Sequence, residues 1–375
     1  MRLDFLDALR GYAILGVMLV HTALIAFPVV PQWFLALCNE GVYGVQLFFI
    51  VSACTIFYAL SYSHKDESSW RNFFLRRLFR ILPLFYVAIV VYAVMDLLIN
   101  HAFWFFNIFF HFTLLFSILP LFINKLVPGG WTIATELMFY AVVPILFTRI
   151  RNLKQAVALT GIALVLCPAL SWFLNMLPIV TTNPDNTDFV YFWLPAQFPV
   201  FCFGILLFFV LKNTALEKES VLAAYSSRQK DLLAGGLILA GTLAVIGLLL
   251  DGQLGTNIVR CYLYGSAFTL IAAGLAINPV QLFVNRFTTY LGKISYSCYL
   301  VHFVFVGIFQ VWFSSIAHTA GSPVTAIGGF LVLYGIVIGL TIFVSSYTYT
   351  WIEQPGIAWG KSYISRIARK KTKRR

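Results

Sequence analysis

The sequence predicts an all-α, polytopic membrane protein, and three observations lead to that prediction. The 375-residue chain is 60% hydrophobic and 11% charged, and its mean hydropathy of +0.86 exceeds that of soluble globular proteins. Apolar runs recur along almost the whole chain, and most basic residues lie in the short connections between those runs. Each run is expected to be a helix, because a helix satisfies its own backbone hydrogen bonds inside a bilayer.

Eleven apolar runs are long enough to cross about 30 Å of hydrocarbon. The first is expected to be a retained transmembrane helix, because Arg10 interrupts the apolar region that a signal peptide needs and no small-residue cleavage site follows. The later runs are separated by polar or basic connections, as transmembrane helices are. In chain order the runs lie near residues 6–27, 41–62, 81–99, 103–124, 131–148, 156–174, 189–211, 232–250, 259–277, 291–314 and 325–348.

The distribution of Lys and Arg indicates how these runs are oriented. If all eleven crossed, the basic connection 149–154 and the basic C-terminal tail could not both lie on the same side as the basic connection 64–80. If the run 103–124 is embedded without crossing, all strongly basic connections fall on one side, and the polar connections 181–188 and 251–257 fall on the other. We therefore predict ten crossings, one membrane-embedded or re-entrant segment, and both termini in the cytoplasm.

The same charge pattern bears on domains and partners. Residues 1–355 are predicted to form one transmembrane domain, and residues 356–375 a basic cytoplasmic tail. The net charge of +12 does not indicate nucleic-acid binding, because retention of basic loops in the cytoplasm and contact with anionic lipid explain it better. The six cysteines lack metal-site spacing, so we expect them to be packing residues and expect no bound metal.

Arg10 and His21 are ionisable residues inside the first apolar run, in an R-x10-H spacing. On a helix they project about 20° apart and lie about 16 Å apart along the axis, with His21 near the middle of the bilayer. A charge inside a membrane helix costs from about 3 to more than about 10 kcal/mol, so such residues indicate function by default. The alternative is that Arg10 extends to the headgroups and pairs with Asp7, while His21 is a hydrogen-bonded core residue.

A cluster of arginines, RNFFLRRLFRILP, precedes the third apolar run. Helical spacing puts Arg77 and Arg80 on one face, with Arg76 close to both. Guanidinium groups so arranged offer forked hydrogen-bond donors that suit phosphate oxygens. The alternative is a topology signal that lies on anionic headgroups.

The segment GGWTIATELMFY places Glu136 about one and a half turns into a run entered from the outer side. A carboxylate at that depth requires a wet cavity, a cation or a hydroxyl-bearing ligand. There it could accept a proton or orient a sugar hydroxyl. A structural contact with an arginine or tryptophan of another helix is the alternative.

The segment LGKISYSCYLVHFVF, residues 291–305, contains another intramembrane histidine, His302. Counting outward from Lys293 places His302 at about mid-membrane, level with His21. The alternatives are a direct role at the site and a satisfied core histidine.

These segments, taken in order, resemble the acyltransferase-3 family of integral-membrane acyltransferases, many of which O-acetylate bacterial surface polysaccharides. The resemblance covers almost the whole chain and depends on the ordered set rather than on any single motif. The segments are LDALRG with His21 following, GVQLFFIVSA, FLRRLFRILPLFY, GGWTIATELMFYAVVP, LGKISYSCYLVH and YTWIEQP.

The resemblance implies roles for individual residues. The R-x10-H pair is essential in the family, and an R-x-x-R pair is linked to handling of the acyl donor. Family members commonly have S-G-F in the second span, where this chain has Ser52, Ala53 and Cys54. We predict His21 and Glu136 as catalytic residues, Arg10, Arg77 and Arg80 as donor-binding residues, and Trp131, His302 and Ser52 as substrate-binding or structural residues.

The implied function is transfer of an acetyl group from cytosolic acetyl-CoA to a hydroxyl of a cell-envelope polysaccharide or its lipid-linked precursor, in the bacterial cytoplasmic membrane. His21 would act as a general base or as a transient acyl carrier. The expected partners are acyl-CoA, a carbohydrate acceptor and membrane lipid. Two alternatives stay open: a proton-coupled transporter or flippase of a lipid-linked sugar, and a catalytically silent relative with an assembly or sensory role.

Overall fold

Helices make up all the regular secondary structure in the described part of the chain. The computed structural model describes residues 3–25, 30–63, 69–101, 104–119, 122–177, 189–212, 225–251, 258–314 and 323–372. The helices are α1 (Asp4–Ile25), α2 (Gln32–Asn39), α3 (Gly44–Ser63), α4 (Ser69–Asn100), α5 (Phe105–Phe112), α6 (Gly130–Arg149), α7 (Leu153–Leu174), α8 (Phe189–Phe192), α9 (Leu194–Leu211), α10 (Ser227–Leu250), α11 (Ile258–Ile277), α12 (Arg286–Lys293), α13 (Ser295–Ser314), α14 (Pro323–Thr348) and α15 (Gln354–Thr372).

The number of membrane-length helices agrees with the sequence. Nine helical elements within the described ranges are long and apolar enough to cross a membrane, and the pair α12 and α13, bent by 79°, brings the number to ten. The predicted all-α, polytopic class is therefore confirmed. The side of the membrane on which each terminus lies stays a prediction.

The run 103–124 forms no membrane-length helix in its described residues. Helix α5 is eight residues long, and Leu114 then adopts a left-handed backbone with φ of 62° before a short 3₁₀ turn at Leu115–Ser117. A left-handed leucine cannot continue a right-handed helix. We predicted that this run does not cross the membrane, and the lack of a membrane-length helix in its described residues agrees with that prediction. The polar connection predicted at 181–188 lies outside the described residues.

The arginine cluster and the third apolar run belong to one helix. Helix α4 has 32 residues and contains Pro83 in its interior. At 1.5 Å per residue it is about 48 Å long, which exceeds the hydrocarbon thickness by several turns. Membrane helices tolerate an internal proline. The arginines are therefore held at fixed angles on a rigid helix instead of lying in a loop.

Close backbone contacts position the helices around the site. A Cβ atom at Gly292 of α12 would lie 1.7 Å from the carbonyl oxygen of Asp7, so only glycine lets α12 lie directly on α1. At the S-G-F position, Gly204 of α9 faces Ala53 of α3, and a Cβ there would lie 2.3 Å from the Ile50 carbonyl oxygen. The close approach at this position thus depends on a glycine of the facing helix.

The predicted tail is helical as far as Thr372. A π-helical turn, Tyr349–Glu353, joins α14 to α15. Helix α15 packs on α4, where the rings of Tyr363 and Phe79 lie 6.0 Å apart. The division of the chain at residue 355 stays a prediction.

Candidate functional site

A cavity of about 90 Å³ lies inside the bundle, between α1, α3, α4, α6 and α13; we call it the central cavity. Five of the eight predicted site residues line it, although they come from four separate helices. Its apolar wall consists of Val45, Phe48, Phe49, Ile81 and Ile133. Its polar wall consists of Arg10, Ser52, Arg77, Arg80, Thr132, Glu136, Tyr140, Ser295, Tyr296 and Tyr299.

The acidic side of the central cavity is a hydrogen-bonded pair. Ser52 Oγ donates to Glu136 Oε1, which joins α3 to α6. Tyr140 lies one helical turn after Glu136 and lines the same cavity. The hydroxyl therefore holds the Glu136 carboxylate in one orientation inside the membrane.

The basic side of the central cavity consists of arginines held by neighbouring groups. The guanidinium carbon of Arg77 lies 5.8 Å from the ring centre of Phe73 and 5.6 Å from that of Tyr140. Cation–π contacts of this kind stabilise a charge that has lost its water. Arg80 Nε lies 3.8 Å from Oε1 of Glu353.

Arg10 has two partners besides the cavity. Its Nη1 donates to Asp7 Oδ1 at 3.0 Å, and its Nη2 donates to Thr55 Oγ1 at 2.9 Å. The pairing with Asp7 that the sequence offered as an alternative is thus present. It does not remove Arg10 from the site, because the same side chain lines the central cavity.

A larger cavity of about 470 Å³, which we call the vestibule, adjoins the central cavity. Arg10 and Arg80 line both cavities, so the two spaces meet at these side chains. Lys293 adds a third cation to the vestibule. The remaining vestibule residues are Leu3, Leu6, Asp7, Thr55, Tyr58, Gly292, Tyr349, Glu353 and Ile357.

A third space, the side cavity, lies between the ends of α3, α4 and α15. It has a volume of about 240 Å³ and is lined by Arg76, Arg77, Arg80 and Lys361, together with apolar residues of the same helices. No carboxylate lies among the described residues of its lining. Its charge favours an anionic occupant.

The two predicted histidines meet each other rather than the cavities. His302 Nε2 lies 3.2 Å from His21 Nδ1, and the ring centre of Phe303 lies 4.4 Å from that of His21. Neither histidine is among the residues described for the three linings.

Tyr299 stands between the central cavity and the histidines. It lines the central cavity, its ring centre lies 5.8 Å from that of His302, and its hydroxyl donates to the Gly129 carbonyl oxygen at 3.0 Å. The Tyr299 ring is therefore an aromatic partition between the central cavity and the pair of histidines.

Trp131 supports the cavity wall without lining it. Its ring is stacked on Phe192 at 4.7 Å and packs edge-on against Phe49 at 6.2 Å. Phe49 is part of the cavity wall, and Thr132, the residue after Trp131, lines the cavity directly.

Sequence reasoning missed several residues that contact this site. Glu353 is 1% exposed, accepts a hydrogen bond from Ser297 Oγ at 3.2 Å and lies near Arg80. It is part of the YTWIEQP segment, and an acidic residue next to an apolar run could have identified it as a candidate site residue. Tyr140 and Tyr299 could have been found by helical spacing, at i+4 from Glu136 and i−3 from His302.

Within the described ranges, no group of three or more His, Cys, Asp or Glu residues could hold a metal ion.

Comparisons with known proteins find one family model and several relatives of the chain. The family model described as an acyltransferase domain matches residues 3–350. A protein named putative O-acetyltransferase from Staphylococcus aureus is 24% identical over 97% of this chain and 60% of its own length. O-acetyltransferase OatA of the same organism is 23% identical over 93% of this chain and 56% of its own length.

A viral relative has a more similar length. A protein named putative acetyltransferase from Acidianus two-tailed virus is 25% identical over 78% of this chain and 80% of its own length. Against the first staphylococcal relatives, the chain spans about 60% of their length. No solved structure matches the chain.

Proposed function

This chain belongs to the acyltransferase-3 family, whose model covers residues 3–350, and we propose that it transfers an acetyl group from cytosolic acetyl-CoA to a hydroxyl of a cell-envelope polysaccharide or its lipid-linked precursor. The observation that carries the proposal is the junction of the vestibule and the central cavity at Arg10 and Arg80. A basic entrance that leads to a carboxylate and a hydroxyl inside the membrane suits a donor with a phosphorylated head and an uncharged reactive end.

The donor's phosphates would bind at the basic end of the bundle. Arg77 and Arg80 line both the side cavity and the central cavity, and Arg80 also lines the vestibule. Arginine forms bidentate hydrogen bonds with phosphate oxygens, and each such charge-assisted bond is worth about 1.5–3 kcal/mol. The phosphates would be held in the vestibule and the side cavity, with the pantetheine arm extending towards the central cavity.

The orientation of the chain follows from the same assignment. Acetyl-CoA is a cytosolic metabolite, so the vestibule would face the cytosol, with both termini on that side of the bacterial cytoplasmic membrane. The excess of Lys and Arg at this end supports that orientation. The acceptor would then arrive from the opposite face of the bundle.

His21 would perform the proton transfer. The acceptor hydroxyl gives its proton to a ring nitrogen of His21 while its oxygen attacks the thioester carbonyl carbon. The carbon–sulfur bond then breaks, and the departing CoA sulfur takes the proton. Glu136, held by Ser52, would orient the acceptor or the thioester from the cavity wall. Because Tyr299 separates the cavity from His21, its ring would move aside when the acceptor hydroxyl contacts both His21 and the thioester in the central cavity.

Measurement of CoA release tests this function against transport. Purified protein in liposomes is supplied with acetyl-CoA labelled in the acetyl group and with extracted envelope glycan. We expect free CoA to appear and the label to move to the glycan, and we expect H21A to abolish both while remaining folded in the membrane. Label uptake into the liposomes without CoA release would instead indicate a transporter, and no CoA release from wild type would contradict the proposal.

A further inference from the structure

The hydrogen bonds around His21 and His302 determine which ring nitrogen of each carries a hydrogen. His21 Nδ1 lies 2.8 Å from the carbonyl oxygen of Val17, and His302 Nδ1 lies 3.1 Å from that of Cys298. A carbonyl oxygen only accepts hydrogen bonds, so each Nδ1 must be the donor. The tautomer of both rings is thus assigned from their partners.

One nitrogen of His21 is left without a hydrogen. In its assigned tautomer, His302 carries a lone pair on Nε2, and that atom lies 3.2 Å from His21 Nδ1. The Nδ1 hydrogen of His21 is therefore shared between the Val17 carbonyl and His302. Because Nδ1 holds the hydrogen, the lone pair of neutral His21 is on Nε2.

Among the described side chains around the two histidines, His302 is the one that accepts a hydrogen bond from His21 Nδ1. No carboxylate among the described residues hydrogen-bonds to either ring, and the hydroxyl of Tyr299, whose ring centre lies 5.8 Å from that of His302, donates to the Gly129 carbonyl. Phe303, whose ring centre lies 4.4 Å from that of His21, offers no side-chain hydrogen-bond donor or acceptor of its own.

We propose that His302 is a positioning residue that fixes the ring and tautomer of His21, so that His21 Nε2 is the atom that accepts the proton of the acceptor hydroxyl. The inference rests on the proposed acyl transfer and specifies how its base is prepared. When Nε2 takes the proton, His21 becomes an imidazolium whose Nδ1–H donates to His302 Nε2. The positive charge is thereby stabilised by a neutral acceptor rather than by a carboxylate, in a region where an isolated charge is costly. The proton leaves Nε2 for the CoA sulfur, which restores the resting pair.

Three substitutions of His302 separate this role from simple packing. In H302Q the amide oxygen can occupy the position of Nε2 and accept from His21 Nδ1, whereas in H302N the shorter side chain falls short and H302L has no acceptor. We expect H302Q to keep kcat within about fivefold of wild type, and H302N and H302L to lower kcat about 100-fold or more with KM for acetyl-CoA unchanged. Equal losses in all three variants would overturn the proposal.

His111 supplies a matched control. It is also a fully buried histidine whose Nδ1 lies 2.7 Å from the carbonyl oxygen four residues earlier, and it is stacked on Phe116 at 4.4 Å. We expect H111Q and H111L to leave kcat within about twofold of wild type. A loss in H111L as large as that in H302L would mean that burial, and not the contact with His21, explains the effect.

The ring nitrogens can be observed without any acyl transfer. The chain has six histidines, so the protein labelled with ¹⁵N-histidine gives few signals, and H21A identifies those of His21. We expect neutral His21 to have a protonated Nδ1 and an unprotonated Nε2 in wild type and H302Q, and a mixture of tautomers in H302L. The reverse tautomer in wild type would overturn the inference even if acetyl transfer is confirmed. The expected tautomer without CoA release would overturn only the proposed function.

Discussion

Arg80 Nε lies 3.8 Å from Oε1 of Glu353, a carboxylate that is 1% exposed and lies at the turn between α14 and α15. The ion pair links α4, which carries the arginine cluster, to the C-terminal part of the chain. The same arginine lines the central cavity, the vestibule and the side cavity. Glu353 thus positions the side chain of Arg80, which we propose to bind the acyl donor.

The first prediction concerns that ion pair. We expect R80Q and E353Q each to lower the free energy of unfolding by about 1–3 kcal/mol, because each leaves a partly or fully buried charged group without its ionic partner. The double variant should lose about 0.5–1 kcal/mol less than the sum, and this coupling is small because Arg80 is 35% exposed. Denaturant unfolding of wild type, the two single variants and the double variant in mixed micelles measures this coupling. Strict additivity of the two single losses would contradict a direct interaction.

The second prediction concerns donor binding by Arg77. We expect R77Q to raise KM for acetyl-CoA about 10-fold to 100-fold, because the loss of one charge-assisted contact with phosphate costs about 1.5–3 kcal/mol. The matched control is R149Q, which removes an exposed arginine at the end of α6 that lines none of the three described cavities. Steady-state kinetics measures KM for acetyl-CoA in both variants. Equal effects of the two substitutions would indicate a general contribution of positive charge instead of a site.

The third prediction separates the two members of the Ser52 and Glu136 hydrogen bond. We expect E136Q to lower kcat about 100-fold or more, because it keeps the shape of the side chain and removes its charge. S52A should lower kcat about tenfold or less, since it removes one hydrogen bond worth about 1 kcal/mol and leaves the carboxylate. Single-turnover assays of acetyl transfer measure both, and a larger loss in S52A than in E136Q would assign the chemistry to the serine.

The fourth prediction concerns the partition formed by Tyr299. In Y299F the ring loses its hydrogen bond to the Gly129 carbonyl, so it should admit water more readily and raise acceptor-independent release of CoA about fivefold, a change of about 1 kcal/mol in activation free energy. Tyr92 is the control, because its hydroxyl also donates to a backbone carbonyl, that of Leu300 at 2.6 Å, while its side chain lines none of the three described cavities. A thiol-release assay without acceptor compares Y299F with Y92F. No difference between them would show that Tyr299 does not separate the thioester from water.

Much of the fold and part of the site could be predicted from the sequence. Hydropathy and the placement of basic residues predicted the helical class and a run 103–124 that does not cross, because those features depend on the bilayer and on local chemistry. The ordered motifs predicted Arg10, Arg77, Arg80, Ser52 and Glu136, and these residues do share one cavity.

The remaining features depend on tertiary contacts that no local pattern encodes. The continuity of α4 through Pro83 places the arginines at fixed angles, which a count of apolar residues cannot foresee. The partition at Tyr299 depends on the contact between α13 and the start of α6, where the Tyr299 hydroxyl donates to the Gly129 carbonyl. The contact of His302 with His21 joins residues 281 positions apart.

The central claim is that the donor extends from the basic end of the bundle, past Arg10 and Arg80, to the central cavity. The most direct test is an experimental structure of the protein in lipid nanodiscs with a thioether analogue of acetyl-CoA that cannot transfer its acyl group. We predict phosphates in contact with Arg77 and Arg80, and the acyl carbonyl in the central cavity within reach of Glu136 and Tyr299. An analogue bound elsewhere, or with its acyl group in the vestibule and its phosphates away from these arginines, would contradict the account.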